Sequence, residues 1–296
     1  MSDTSGSIYD LGYQRYTGVR LGRRHALWSL YTYSLRVVFG IGRSFWAKAG
    51  AFGILAIALL PAVVQLGVAS LSPEDIEVVR PDEYYGIIAP LLAIFCAIVA
   101  PDLGGRDQRT RTLSLYFSRA LRRSDYALAK FSALVTAMLS ITVVPQALMF
   151  IGNMSADTDA LDYLGDNWAD IPAIFGSALL LSALLGGIGL AIAAQMPRRA
   201  YATVAIVAAF VLTSSVAAAV FEAASDPETG RWALLLSPLH VVQGTTFWLF
   251  GVSAAEQGEE QLVEADFGGV VYAIAAITGA LLMFGLVLRR YRRIDA

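Results

Sequence analysis

Residues 232–251 read WALLLSPLHVVQGTTFWLFG, and the number of membrane crossings in the chain turns on this stretch. Composition makes the question a membrane one. Of 296 residues, 56% are hydrophobic and only 16% charged, where soluble domains carry about a quarter charged residues. Six other apolar runs are each long enough to cross a hydrocarbon core roughly 30 Å thick. They are continuous rather than alternating, so the spans are helices, and the fold class is an all-α polytopic membrane protein with six transmembrane helices.

Charge then decides the reading of 232–251. With six spans and both termini cytoplasmic, all of the 22 Lys and Arg except Arg80 and Arg231 lie inside. Of the 24 acidic residues, only Asp3, Asp10, Asp102, Asp107, Asp125 and Asp295 join them. A seventh crossing would expel Arg289, Arg290, Arg292 and Arg293 and draw Glu256, Glu259, Glu260, Glu264 and Asp266 inside. The Lys/Arg bias over short loops sets orientation. Residues 232–251 are therefore expected to form a re-entrant or surface-lying helical pair, split at Ser237-Pro238. Such a piece is tolerated at membrane depth when it is buried in protein.

The spans are expected at about 49–71, 84–99, 127–152, 171–196, 201–221 and 268–288, with Pro61, Pro90 and Pro145 inside three of them and Pro101 at the exit of the second. Prolines in these positions kink helices. Gly186, Gly187 and Gly189 would let another helix approach closely. Cys96 is the only cysteine, so it forms no internal disulfide and reads as a small buried hydrophobe.

The segment 1–48 shows no cleavable signal peptide. Within it Leu27, Leu30, Tyr31, Leu35, Val38 and Phe39 recur at helical spacing, while Ser29, Arg36 and Arg43 share another face. The pattern predicts an amphipathic helix in the membrane interface, apolar side down and arginines towards headgroups. Gly40 and Gly42 should end it.

Between the second and third spans lies APDLGGRDQRTRTLSLYFSRALRRSDYALAK, residues 100–130. It carries Arg106, Arg109, Arg111, Arg119, Arg122, Arg123 and Lys130 around an apolar patch of Leu113, Leu115, Tyr116, Phe117 and Leu121. A simple turn needs only a few polar residues, so a folded piece at the membrane surface, gripped by something else, is expected here. Basic residues held by lipid headgroups are the plainer alternative.

Several chemistries are excluded by what is missing. No G-x-x-x-x-G-K-[ST] phosphate loop exists, and the only lysines are Lys48 and Lys130. His25 and His240 are the only histidines and form no zinc-protease motif, and no nucleophile motif is present. The centres of the spans hold no Asp, Glu, Lys or Arg, where ion-coupled carriers keep ionisable or broken-helix sites. Gln65, Gln146 and Gln195 read as interhelical glue, and His240 as a structural histidine.

On these residues the chain resembles the type 2 ABC transporter permeases. After its second span it matches that family's pattern at Asp102, Arg106, Arg111-Thr112-Leu113, Leu115-Tyr116, Ser118-Arg119, Arg123 and Tyr126-Ala127-Leu128-Ala129-Lys130. It departs where Arg111 replaces the Gly usual before T-L and Ala120 the Pro usual after S-R. The leader YDLGYQRYTGVRLGRR, residues 9–24, looks like that of an actinobacterial branch. The resemblance implies an exporter permease in the bacterial plasma membrane that is not itself an enzyme and has no cofactor of its own. ATP and Mg would be bound by a separate ABC ATP-binding subunit. It also implies a second permease, identical or a sister chain, beside membrane lipid. The coupling element would lie in 100–127, with Arg111, Leu113, Tyr116, Phe117, Arg119, Arg122 and Arg123 facing the ATPase. The expected organisation is a cytoplasmic segment 1–48, a transmembrane domain 49–288 with an extracytoplasmic re-entrant region 222–267, and a basic tail 289–296. A facilitative or ion-coupled carrier, or a non-transporting structural or regulatory membrane protein, are the competing classes.

Overall fold

The computed structural model describes residues 18, 21–42, 45–71, 79–118, 121–157, 159–196, 198–224 and 227–293. Among them the chain is helical with no strand. The elements in order are α1 (Gly22–Val38), α2 (Phe45–Leu71), α3 (Glu83–Gly104), α4 (Arg106–Arg109), α5 (Leu113–Phe117), α6 (Arg123–Ala156), α7 (Ala160–Asn167), α8 (Asp170–Gln195), α9 (Arg199–Ala223), α10 (Pro227–Leu234), α11 (Pro238–Phe250), α12 (Glu260–Ala265) and α13 (Gly269–Arg292). Six of these, α2, α3, α6, α8, α9 and α13, are long and apolar enough to cross a membrane. The chain is an all-α polytopic membrane protein.

The stretch 232–251 is not a seventh span. It is broken between α10 and α11, where Ser237 accepts from the His240 backbone N–H at 3.3 Å and Pro238 opens the next helix. Ser at the N-cap followed by Pro supplies an acceptor for one orphan N–H and removes another. α11 packs on α8 and α13, so its backbone is covered by protein.

α8 is the centre of the bundle. Its apolar window is 72% buried, against 17% for α9. The three glycines lie against the neighbouring helices α3, α6 and α13, with Gly187 also meeting Phe131 of α6. Gly186 meets Leu134 and Met138 of α6, Gly187 meets Ala280 and Met283 of α13, and Gly189 lies against Cys96 and Ala100 of α3. The close approach expected at these glycines is thus made by the chain's own helices, and this face is closed to a second copy.

The second span was expected to end before Pro101, yet α3 runs through it to Gly104. A helical proline leaves the carbonyl four residues earlier without its donor. Here that carbonyl belongs to Ala97, and the Thr203 hydroxyl of α9 donates to it at 3.0 Å. A bond from another helix thus replaces the lost one. Two short helices, α7 and α12, stand where only loop was expected.

α1 forms where the pattern placed it and ends at Gly40 and Gly42, which take φ of 64° and 82°. Its apolar face needs correcting. Leu30 and Val38 are buried, and Leu27, Tyr31, Leu35 and Phe39 pack partly buried beside them, on α6 and α3. The face is turned on the bundle rather than into lipid, and Tyr31 hydrogen-bonds Thr136 of α6 at 3.1 Å. Arg36 is exposed on the other side. Arg43 lies outside the described residues, as do 72–78 and most of the leader 9–24.

Candidate functional site

Residues 100–130 fold into a tight bracket at the Arg-rich end of the bundle. α3 ends at Gly104, one turn of α4 follows, then a bend, the single-turn α5, and the start of α6. The bend is made at Arg111, whose φ is 55°. That left-handed conformation costs an L-residue roughly 1–2 kcal/mol and suits glycine, which is the residue usual at this position in the family the chain resembles. The bend is held by Thr112, whose backbone N–H donates to the Asp107 carbonyl at 3.1 Å, with its hydroxyl on the same oxygen at 3.3 Å.

Beneath the bend lies a buried polar core. The Asp107 carboxylate accepts from the Tyr126 hydroxyl at 2.6 Å and pairs with Lys130 Nζ at 3.0 Å. Lys130 is 2% exposed and Tyr126 fully buried. Two charges taken out of water are held only if they meet each other and fill their remaining hydrogen bonds. The pair therefore fixes α4, in the bracket, to α6, a span. The Tyr126 ring is also the hub of an aromatic cluster, with Tyr116 at 5.7 Å, Phe117 at 5.9 Å and Tyr291 of α13 at 4.9 Å between centroids. Tyr291 in turn donates its hydroxyl to the Gly104 carbonyl at 2.7 Å.

Further ties run outward from this core. Arg23 of α1 grips Asp125 with two bonds of 2.7 and 2.6 Å. Arg123 donates to the Arg292 carbonyl at 2.7 Å. Gln108 reaches the Ala194 carbonyl of α8 at 3.1 Å. Asp102 faces Arg109 at 3.9 Å and Arg199 of α9 at 3.6 Å. The bracket thereby touches α1, α6, α8, α9 and α13 through named polar contacts.

The residues singled out from the sequence divide into two groups. Arg111 and Arg122 are exposed. Leu113 is 4% exposed and belongs to the core, so it shapes the turn and offers nothing outward. Tyr116 and Phe117 are half-buried on Tyr126. Burial, with Asp107 nearby, pushes the Tyr116 hydroxyl up to about 12. Arg123 lies over the Phe117 ring at 5.6 Å. Arg119 lies outside the described residues. Sequence reasoning left two features out of the candidate set. One is Leu115, counted only as part of the apolar patch, which is 66% exposed and flanked by the exposed Ser114 and Ser118. The other is the Asp107–Lys130 pair, whose members had been noted only as separate charges. Helical spacing does explain the division, since Leu113, Tyr116 and Phe117 share a face and Leu115 lies opposite.

Among the described residues no three His, Cys, Asp or Glu converge as metal ligands would. What the bracket presents is a braced surface with Arg106, Arg111, Leu115 and Arg122 outward. No family model matches the chain, and no curated protein matches it.

Proposed function

We propose that the chain is the transmembrane permease subunit of an ABC-type exporter, driven by a separate ATP-binding subunit that docks on the bracket within 100–127. The observation that carries this reading is the bracket itself. An exposed apolar side chain, Leu115, stands among exposed arginines on a turn tied to five helices of the bundle. Interfaces draw most of their energy from a few such anchors inside a polar rim. A turn that only anchored headgroups would need no buried ion pair beneath it. Movement imposed on α4 and α5 would pass through Asp107 and Lys130 into α6, and through Tyr126 and Tyr291 into α13.

In this reading the Arg-rich end is cytoplasmic, with both termini on that side, and the membrane is the bacterial plasma membrane. ATP and Mg bind in the partner ATPase, and a second permease completes the transport path. With α8 enclosed, that second copy meets the exposed faces of the peripheral spans α2, α9 or α13. The test is purification of the tagged chain from its native membrane. A nucleotide-binding subunit that co-purifies and hydrolyses ATP supports the proposal. Transport retained by the chain alone in liposomes would refute it.

A further inference from the structure

At the Arg-rich end, beside the bracket, the last turns of α8 and α13 border a half-open cavity of about 240 Å³ lined by Gln195, Leu286, Arg289, Arg290 and Arg293. Four of these stand on α13 and its C-cap, at a spacing that puts them on one helical face. Three exposed guanidinium side chains therefore share one space.

No described acid neutralises them. At this end the described acids are Asp102, Asp107 and Asp125, and each is engaged elsewhere. Asp102 faces Arg109 and Arg199, Asp107 pairs with Lys130, and Asp125 pairs with Arg23. Like charges gathered without a counter-charge repel, so the cavity is short of an anion. One of the three is also held in place. Arg290 Nε donates to the Ala194 carbonyl at 3.1 Å, in the last turn of α8. That bond orients the guanidinium and leaves its terminal nitrogens without a partner among the described residues. Gln195 donates one amide N–H to the Ala191 carbonyl at 3.2 Å and has a second to offer.

Towards the membrane the wall turns apolar. Leu286 lines the cavity and is 42% exposed, and Leu282, one turn earlier on the same face, is 60% exposed. An exposed leucine stripe on a span thus runs straight into the arginines.

We infer that this cavity binds the phosphate headgroup of an anionic phospholipid. The phosphate oxygens accept from Arg289, Arg290 and Arg293, and an acyl chain lies along Leu286 and Leu282. Arginine forks match phosphate oxygens in pairs, and basic pockets between spans hold such headgroups. A zwitterionic headgroup carries its own cation and leaves the three charges uncompensated. Free phosphate has the charge but no chain for the leucines. The inference rests on the cavity and the membrane setting, and holds whatever drives the chain.

The test titrates phosphatidylglycerol into the delipidated full chain in neutral-detergent micelles and counts bound lipid by native mass spectrometry. Phosphatidylcholine and inorganic phosphate are the comparators. One saturable lipid is expected, bound roughly tenfold tighter than phosphatidylcholine, and inorganic phosphate at equal concentration should not displace it. Arg289→Gln and Arg290→Gln should each weaken that lipid by roughly tenfold. Arg292→Gln removes the same charge from the same turn, outside the lining, and should weaken it by under about twofold. Arg289 makes no side-chain bond among the described residues, so its variant reports even if Arg290→Gln, which also breaks the bond to Ala194, perturbs folding. Equal affinity for the two lipids, displacement by inorganic phosphate, or equal losses in Arg289→Gln and Arg292→Gln would each overturn the inference.

Discussion

The two ends of this molecule solve the same problem in opposite ways. At the Arg-rich end, irregular chain is braced by charge and hydrogen bonding. Asp107 meets Lys130 and Tyr126, Asp125 meets Arg23, and Tyr291 reaches back to Gly104. At the acidic end, α11 is held by close apolar packing. A Cβ on Gly244 would lie 2.6 Å from Tyr272 Cγ, and one on Gly269 would overlap the Trp248 side chain. Several buried polar atoms there, among them His240 Nδ1, Thr246 Oγ1 and the Tyr272 hydroxyl oxygen, meet no partner among the described residues, whereas between 100 and 130 only Arg109 Nη1 does so. The difference teaches where each end is specified. Polar networks fix one geometry and transmit displacement, which suits a surface that is pushed. At the acidic end close packing specifies the geometry, and some buried polar atoms are left over.

The comparison breaks most readily at Lys130. Lys130→Met strands a buried Asp107 carboxylate and should cost about 3–5 kcal/mol in chemical unfolding from micelles. Lys130→Met with Asp107→Leu removes both charges and should recover most of that loss. A single variant costing under about 1 kcal/mol would remove the brace from this account.

The next largest effect lies at the centre that both ends share. Gly189→Ala drives a methyl into the Cys96 sulfur, while at Gly186 the nearest atom is Met138 Sδ at an ordinary 3.4 Å. The first should cost about 1–3 kcal/mol and the second within about 0.5 kcal/mol. Equal melting temperatures for the two variants would contradict the packing of α8 on α3.

Smaller changes sharpen the contrast between the ends. Tyr126→Phe removes one hydrogen bond from Asp107 and should destabilise by about 1–3 kcal/mol. Tyr272→Phe removes a hydroxyl with no partner and should be neutral or stabilising by up to about 1 kcal/mol. The same chemical change is thus expected to differ in sign, and thermal unfolding of the two variants measures it. Arg111→Gly relieves the left-handed backbone at φ 55°, offset by the entropy of glycine, and should stabilise by under about 1 kcal/mol.

Much of the fold was written in the sequence. Span number and approximate position followed from hydropathy and charge, the break from Ser237-Pro238, and the apolar face of α1 from its spacing. What covers that face was not legible, because an apolar stripe reads alike against lipid and protein. The run of α3 through Pro101 depends on Thr203, 102 positions away in the chain, and no local signal announces it. At the candidate site the exposed and buried members of 111–123 were grouped together, because a helix of five residues is too short to show a period. The Asp107–Lys130 pairing joins two elements whose docking only the three-dimensional fold reveals.

The central claim is that the outward face of the bracket receives an ATP-binding subunit, and one exposed side chain tests it most directly. Leu115→Asp places a charge at a 66% exposed position without touching the Asp107–Lys130 core. The measurement is the amount of ATP-binding subunit that co-purifies with this variant, alongside its melting temperature. The account predicts that the subunit is lost, by tenfold or more for an anchor worth roughly 2 kcal/mol, while melting matches the wild type. Full retention of the subunit by a normally folded Leu115→Asp chain would contradict it.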